Sequence, residues 1–273
     1  MTPPSSRSRA PGVLGLLAQG CMPALETLKI RSWSPEVGSY EALGQALSGG
    51  QLLMLRSLEI DVGRSHDTVN GLVPPEAIAA LVSGLEAPCV QLRALAVEAG
   101  SGSVDLSQAD ASLFARTLSV EGGGLSRLEE LKVSLKEGQA MFEALADGAP
   151  CARTLKALHL TDVKLQERAV QAFFGRLRQG AFPSLSTLHF WDVGRAGPAV
   201  ARELPEALVY MATHGTPSVL TELTLTSHHH PIVNRMLIDL ARVFEAGGLP
   251  RLVKLSLIDR ERFGSAVVKS NQS

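Results

Sequence analysis

Aromatic residues make up only 4% of this 273-residue chain, cysteine occurs three times, and neither sign of charge prevails, with 26 Lys and Arg against 27 Asp and Glu. Each scarcity narrows the field. A formal net charge of -1 leaves no electrostatic footprint for nucleic acid or for an anionic membrane. Cys21, Cys89 and Cys151 are odd in number and form no CxxC pair, so neither a disulfide framework nor a thiolate zinc site is indicated. Sparse, unpaired cysteine fits a reducing, cytoplasmic location. No window approaches the roughly 18 consecutive apolar residues of a membrane-spanning helix, which predicts a soluble protein. Residues 1–12 are rich in Pro, Ser and Arg, and the apolar patch from Val13 to Ala18 is too short and Gly-broken for a secretory signal. The segment reads as a disordered tail leading into a helix.

Catalytic motifs are also missing. There is no GxxxxGK[ST] phosphate loop, no GxSxG nucleophile elbow and no HExxH, and Gly122, Gly123 and Gly124 lack the Lys that a phosphate loop needs. The three cysteines each precede a predicted strand by three or four residues, where a small thiol is expected to be buried rather than nucleophilic. These absences point to a protein that is not an enzyme, with no cofactor and no metal.

What is present is leucine in a spaced pattern, within a composition 45% hydrophobic and 19% charged that supports a sizeable core and excludes a disordered chain. One six-residue phrase recurs: Leu, two variable residues, Leu, one variable residue, then an aliphatic residue or Phe. Its eight copies start at Leu25, Leu55, Leu92, Leu128, Leu155, Leu185, Leu220 and Leu252. The starts are 30, 37, 36, 27, 30, 35 and 32 residues apart, so one structural unit carries loops of different length.

A second register accompanies the first. Gly20, Gly50, Gly123, Gly180, Gly215 and Gly247 stand five residues before the leading Leu, where a left-handed glycine would end a helix. Ala87 and Pro150 take that place in the other two copies, and those turns are expected to be built differently. Pro23, Pro183 and Pro250, two residues before the Leu, suit the start of a strand and not its middle. Upstream of the glycines the apolar period is helical. In 166–179, Ala169, Val170, Phe173, Phe174 and Leu177 share one face; Ile232, Val233, Met236, Leu237, Leu240, Val243 and Phe244 do so further on. Weaker helical patterns cover 40–48, 75–86, 108–119, 137–147 and 199–213. The unit is helix, turn, short strand, loop.

In this phrase and this unit the chain resembles leucine-rich-repeat proteins, and the long helix-containing repeats resemble the ribonuclease-inhibitor-like subfamily. The resemblance spans about residues 13–260. It implies an α/β solenoid of about eight repeats, a horseshoe with parallel strands on the concave face and helices on the convex face. The family's Asn or Cys at the ninth phrase position is replaced here by Trp33, Gly63, Gly100, Lys136, Val163, Val193, His228 and Arg260, so irregular loops are expected after the strands. Each unit exposes an apolar face that only a neighbour can bury, which makes 13–260 one domain followed by a tail over 261–273. Asn271, Gln272 and Ser273 in that tail match a glycosylation sequon. Polar caps are not evident at either end, which is consistent with frayed, self-associating or partner-covered ends or with a truncated chain.

Alternation along a strand puts the third, fifth and seventh phrase residues on the concave face. Signs are mixed there and no basic stripe with interleaved aromatics occurs, which disfavours nucleic-acid binding. The concentrated feature lies in the second half. His159 and His189 hold equivalent positions on successive strands, Trp191 follows on the same face, and Thr161, Thr224 and Thr226 flank them. Trp amid His and Thr has the composition of a protein-interaction hot spot; the same residues also fit a purely stabilising cross-strand ladder with a loop over Trp191. His228, His229 and His230 precede Pro231 and read as a solvated loop, because consecutive residues do not converge on one ion. The leading expectation is a non-enzymatic module that binds a partner protein through its concave face. One alternative is a metal- or small-molecule-binding regulatory or catalytic protein using His159, His189 and Asp192. Asp162 and Asp192, at equivalent positions just past successive strands, form a candidate carboxylate pair. A further alternative is a fragment of a larger repeat protein.

Overall fold

In the computed structural model every copy of the phrase is a strand that begins at its third residue: β1 (Thr27–Ser32), β2 (Ser57–Val62), β3 (Ala94–Glu98), β4 (Glu130–Val133), β5 (Ala157–Thr161), β6 (Thr187–Trp191), β7 (Glu222–Ser227) and β8 (Lys254–Asp259). The structure describes residues 13–32, 37–62, 75–98, 108–134, 139–161, 163–191, 196–214, 218–227, 230–259 and 264–269. The common starting point has a backbone cause. The carbonyl of the second phrase residue accepts two N–H groups from the next unit: Glu26 from Arg56 and Ser57, Glu129 from Lys156 and Ala157, Ser186 from Thr221 and Glu222. That shared acceptor locks each strand to its predecessor in the same register, so Leu28 faces Leu58, Leu58 faces Leu95, and so on to Leu255.

The eight strands run parallel in chain order, and a ninth, β9 (Gly264–Lys269), adds antiparallel to β8. The segment expected as a tail therefore holds a strand. α1 (Val13–Ala18) precedes β1, and between the strands lie α2 (Val37–Ser48), α3 (Pro75–Glu86), α4 (Gln108–Ser119), α5 (Gln139–Ala146), α6 (Glu167–Arg178), α7 (Gly197–Thr213) and α8 (His230–Glu245). Each packs on its neighbours in sequence order, forming one helical layer on one parallel sheet. This is an α/β architecture built from a repeating unit. The parallel pairing requires a crossover, and the helix supplies it.

The phrase leucines and the helices' apolar faces bury one another in one continuous core. Leu55, Leu92, Leu128 and Leu155 are fully buried, as are Leu58, Leu95, Leu131 and Leu158. The corresponding Leu25, Leu28 and Ile30 are only half-buried, because β1 is the sheet edge and has a strand on one side alone. The face expected of α6 is the buried one: Ala169, Val170, Phe173, Phe174 and Leu177. In α8 the expectation holds for Met236, Leu240 and Val243. It fails for Leu237 and Phe244, 46% and 47% exposed. They point away from the core on the flank where, among the described residues, no further helix packs. The side chains of Ile232 and Val233 lie outside the described residues.

Turn chemistry shifts in two units. Gly122, not Gly123, takes the left-handed conformation, with φ of 71°, one residue earlier than the spacing predicts. A Cβ at Gly123 would instead stand 2.9 Å from the Val120 side chain. Where Pro150 replaces the glycine, Gly148 ends the helix with φ of 96° and Pro150–Arg153 forms a 3-10 turn; the 8-residue α5, shorter than the 12-residue α4 and α6, belongs to this shortest repeat. Gly215 lies outside the described residues. The cysteines divide: Cys151 is buried, Cys89 half-buried and Cys21 exposed. Cys21 thus departs from the expected burial, since it follows α1 at the open edge, whereas burial pushes the Cys151 thiol up to about 12.

Candidate functional site

Because odd phrase positions alternate with the buried leucines, they form three straight rows across the sheet face opposite the helices. The middle row reads Lys132, His159, His189, Thr224 and Ser256 on β4 to β8; the last reads Thr161, Trp191, Thr226 and Ile258 on β5 to β8. All six expected site residues, His159, Thr161, His189, Trp191, Thr224 and Thr226, therefore fall in one contiguous patch. The sheet beneath them is stiffened from behind. Phe190, between His189 and Trp191, points into a cluster in which Phe142 stacks on Phe173 at 4.5 Å and meets Phe190 edge-on at 6.3 Å. Phe174 and Phe182 complete it.

The side chains at the centre are in mutual contact. The Nδ1 atoms of His159 and His189 are 3.4 Å apart, and the two rings meet edge-to-face with centroids 5.5 Å apart. On its other side the His189 ring lies 5.8 Å from the Trp191 ring. One Nδ1 must donate to the other, so the pair requires at least one neutral imidazole. Burial, followed by His159 and then by Lys132 and Lys254, lowers the His189 pKa to about 4 against the weaker opposing effect of Glu222. At neutral pH His189 is uncharged.

Among the described residues, His189 Nε2 and Thr226 Oγ1 are buried polar atoms of the patch with no hydrogen-bond partner. Such an atom costs about 1–3 kcal/mol, and buried orphans are rare enough in folded proteins to need a reason. Thr226 faces Trp191 across the β6–β7 pair and is only 4% exposed, although it is on the face opposite the helices. Trp191, Thr161 and Thr224 are half-buried. Trp191 is thus partly sheltered, with its ring beside that of His189. Lys132, Lys254 and Glu222 were not singled out in the sequence, yet they act on His189 through space. Their positions in the same rows of phrase residues carried that information.

Asp162 and Asp192, together with His228 and His229, lie outside the described residues, and His230 opens α8 with its side chain undescribed. The carboxylate of the metal or substrate alternative is therefore not placed beside the histidines. Among the described residues no three His, Cys, Asp or Glu side chains converge as a metal site would require, and no helix is long and apolar enough to cross a membrane. Compared with known proteins, the chain matches no family model, and no curated protein matches it.

Proposed function

We propose that this protein is a non-enzymatic leucine-rich-repeat module of the ribonuclease-inhibitor-like kind, which binds a partner protein on the concave face of a solenoid, centred on His189 and Trp191. The observation that carries the reading is the pair of orphaned polar atoms beside Trp191. A sheet face that served only stability would gain by having apolar groups at His189 and Thr226, since an unpaired buried polar atom is a net cost. A face that meets a partner can recover that cost on binding. The ring of Trp191 supplies area at low entropic cost, and the Phe cluster behind β6 keeps the patch in place. The charged groups, Lys132, Lys254 and Glu222, stand around this centre as a polar rim does around an interface core.

The test compares proteins captured from native lysate by wild type, by Trp191→Ala and by a helix-side control, Arg116→Ala, all matched for melting temperature. A partner bound by wild type and control but lost from Trp191→Ala is the expected result. Identical sets from all three would remove the face from consideration. A second reading, a metal or small-molecule site on His159, His189 and Asp192, draws on the 3.4 Å approach of the two Nδ1 atoms, a separation that two imidazoles on one tetrahedral ion would also have, at about 2.0–2.1 Å from the metal each. Lys132 and Lys254, which disfavour positive charge at His189, place it second. Elemental analysis after zinc loading and dialysis, with His159→Ala/His189→Ala as reference, separates the two.

A further inference from the structure

The helical layer carries a site of a different kind. A cavity of about 480 Å³ opens between α7 and α8, with Pro205, Val209 and Tyr210 on the α7 side and Arg235, Asp239 and Arg242 on the α8 side. Every charged side chain of its lining already has a partner. On α8, Asp239 accepts from both Arg235 and Arg242. On α7, Arg202 pairs with Glu167 and Glu203, and Glu206 pairs with Arg178, which Glu203 shares. The network comes to four guanidiniums and four carboxylates, so the cavity has no net charge of either sign to give. An ion entering it would lose hydration without gaining a counter-charge of its own.

What the cavity does have is apolar surface and an aromatic ring set in a fixed plane. Tyr210 stacks on His214 with centroids 3.8 Å apart and planes 16° from parallel. His214 is itself held at the end of α7, its Nδ1 lying 2.9 Å from the Tyr210 carbonyl oxygen and 3.1 Å from Thr213 Oγ1. Tyr210 lines the cavity and His214 does not, so one face of the ring is taken and the cavity lies on its uncovered side. The 44% exposure of Tyr210 agrees. A second planar ring laid there would extend the stack, a gain beyond the burial of its area. Across the cavity, guanidiniums already neutralised by Asp239 remain groups that favour an aromatic face.

We infer that the α7–α8 cavity binds a small, uncharged, planar aromatic molecule, its ring stacked on Tyr210 and its edge against Pro205 and Val209. The volume selects a small molecule. It falls within the roughly 300–1,000 Å³ of small-molecule sites, whereas a partner helix about 10–12 Å across would not enter it. This site is on the helical layer, the opposite side of the sheet from His189 and Trp191, and is independent of the interaction surface.

Tryptophol is the probe, with indole-3-acetate and tryptamine as its anionic and cationic counterparts on the same ring system. Each is titrated into the full chain and followed by amide chemical shifts in α7 and α8 and by the Tyr210 ring protons. Tryptophol saturates one site and moves the Tyr210 ring protons upfield, as a stacked ring does; both charged counterparts bind about tenfold more weakly or not at all. Tyr210→Leu, which keeps an apolar side chain at this exposed position and removes the ring, loses about tenfold in tryptophol affinity. Tyr210→Phe retains it. Trp191→Ala binds tryptophol as wild type does, so failure here and failure of the interaction surface are distinguishable. Absence of saturation, a charged counterpart that binds as well as tryptophol, or a Tyr210→Leu variant with unchanged affinity would overturn the assignment.

Discussion

Thr226 is the residue at which stability and the proposed use of the sheet face part company. Its hydroxyl oxygen is buried without a partner, so Thr226→Val, which keeps the shape and removes the orphan, is expected to stabilise the fold by up to about 1 kcal/mol. Urea denaturation measures this directly; a loss of stability would mean that the hydroxyl has a role in the free protein. His189 supports a second residue-scale prediction, with the opposite dependence on conditions. Its folded pKa is lowered, chiefly by burial, from 6.5 to about 4, so between those values the unfolded chain binds the proton more readily. Stability contributed by neutral His189 is complete above pH 6.5 and declines as the pH falls towards 4. His189→Asn, which does not titrate, flattens that part of the stability profile, and the His189 ring resonances of wild type titrate with a midpoint near 4. The patch itself was legible, because a strict period of two and a constant phrase put His159, His189 and Trp191 in adjacent rows. Its shelter was not, since the burial of Thr226 and the partnerless Nε2 arise from packing across strands that are distant in sequence.

At the scale of the element, the helices show where pattern suffices and where it does not. The spacing predicts helices over 75–86 and 108–119, which is where α3 and α4 run, because the apolar face of each is buried in the core shared with the strand leucines. In α8 the same pattern overstates the buried face. A period identifies which residues lie on one side of a helix, and only the neighbours determine how wide that side is. Leu237 and Phe244 are exposed since α8 has one flanking helix among the described residues. The closest helix contact left no signal in the pattern at all. Gly44 of α2 and Gly84 of α3 face each other, and a Cβ at Gly44 would stand 2.2 Å from the Ala80 carbonyl oxygen, one at Gly84 2.8 Å from the Gly44 Cα. Backbone, unlike a side-chain tip, cannot turn aside. Gly44→Ala is therefore expected to destabilise by roughly 1–3 kcal/mol, outweighing the up to about 1 kcal/mol that Ala contributes over Gly in a helix interior. A thermal melt that rises on Gly44→Ala would contradict the close approach.

Across the whole molecule, nearest-neighbour stacking makes position in the series as important as residue type. Leu28 and Leu158 occupy the same phrase position, and a reading of the repeat alone would assign them the same worth. The sheet order separates them. Leu158 is fully buried on a strand flanked by β4 and β6, whereas Leu28 is half-buried on an edge strand that, among the described residues, pairs only with β2. Truncation of a buried Leu forfeits transfer free energy and leaves a cavity lined on every side, about 2–5 kcal/mol in all. At the edge the void opens to water and the surroundings can relax, so the transfer part alone remains, and only for the fraction of the side chain that was covered. Leu158→Ala is thus expected to cost several times what Leu28→Ala costs. In a stack whose units hold one another in place, the two losses also differ in reach. Hydrogen exchange after Leu28→Ala should accelerate in β1 and little beyond β2, while Leu158→Ala should lower protection on both sides of β5, in β4 and β6 together. Uniform acceleration from either substitution would show instead that the sheet opens as one unit, with coupling between repeats strong enough to erase the difference between edge and centre.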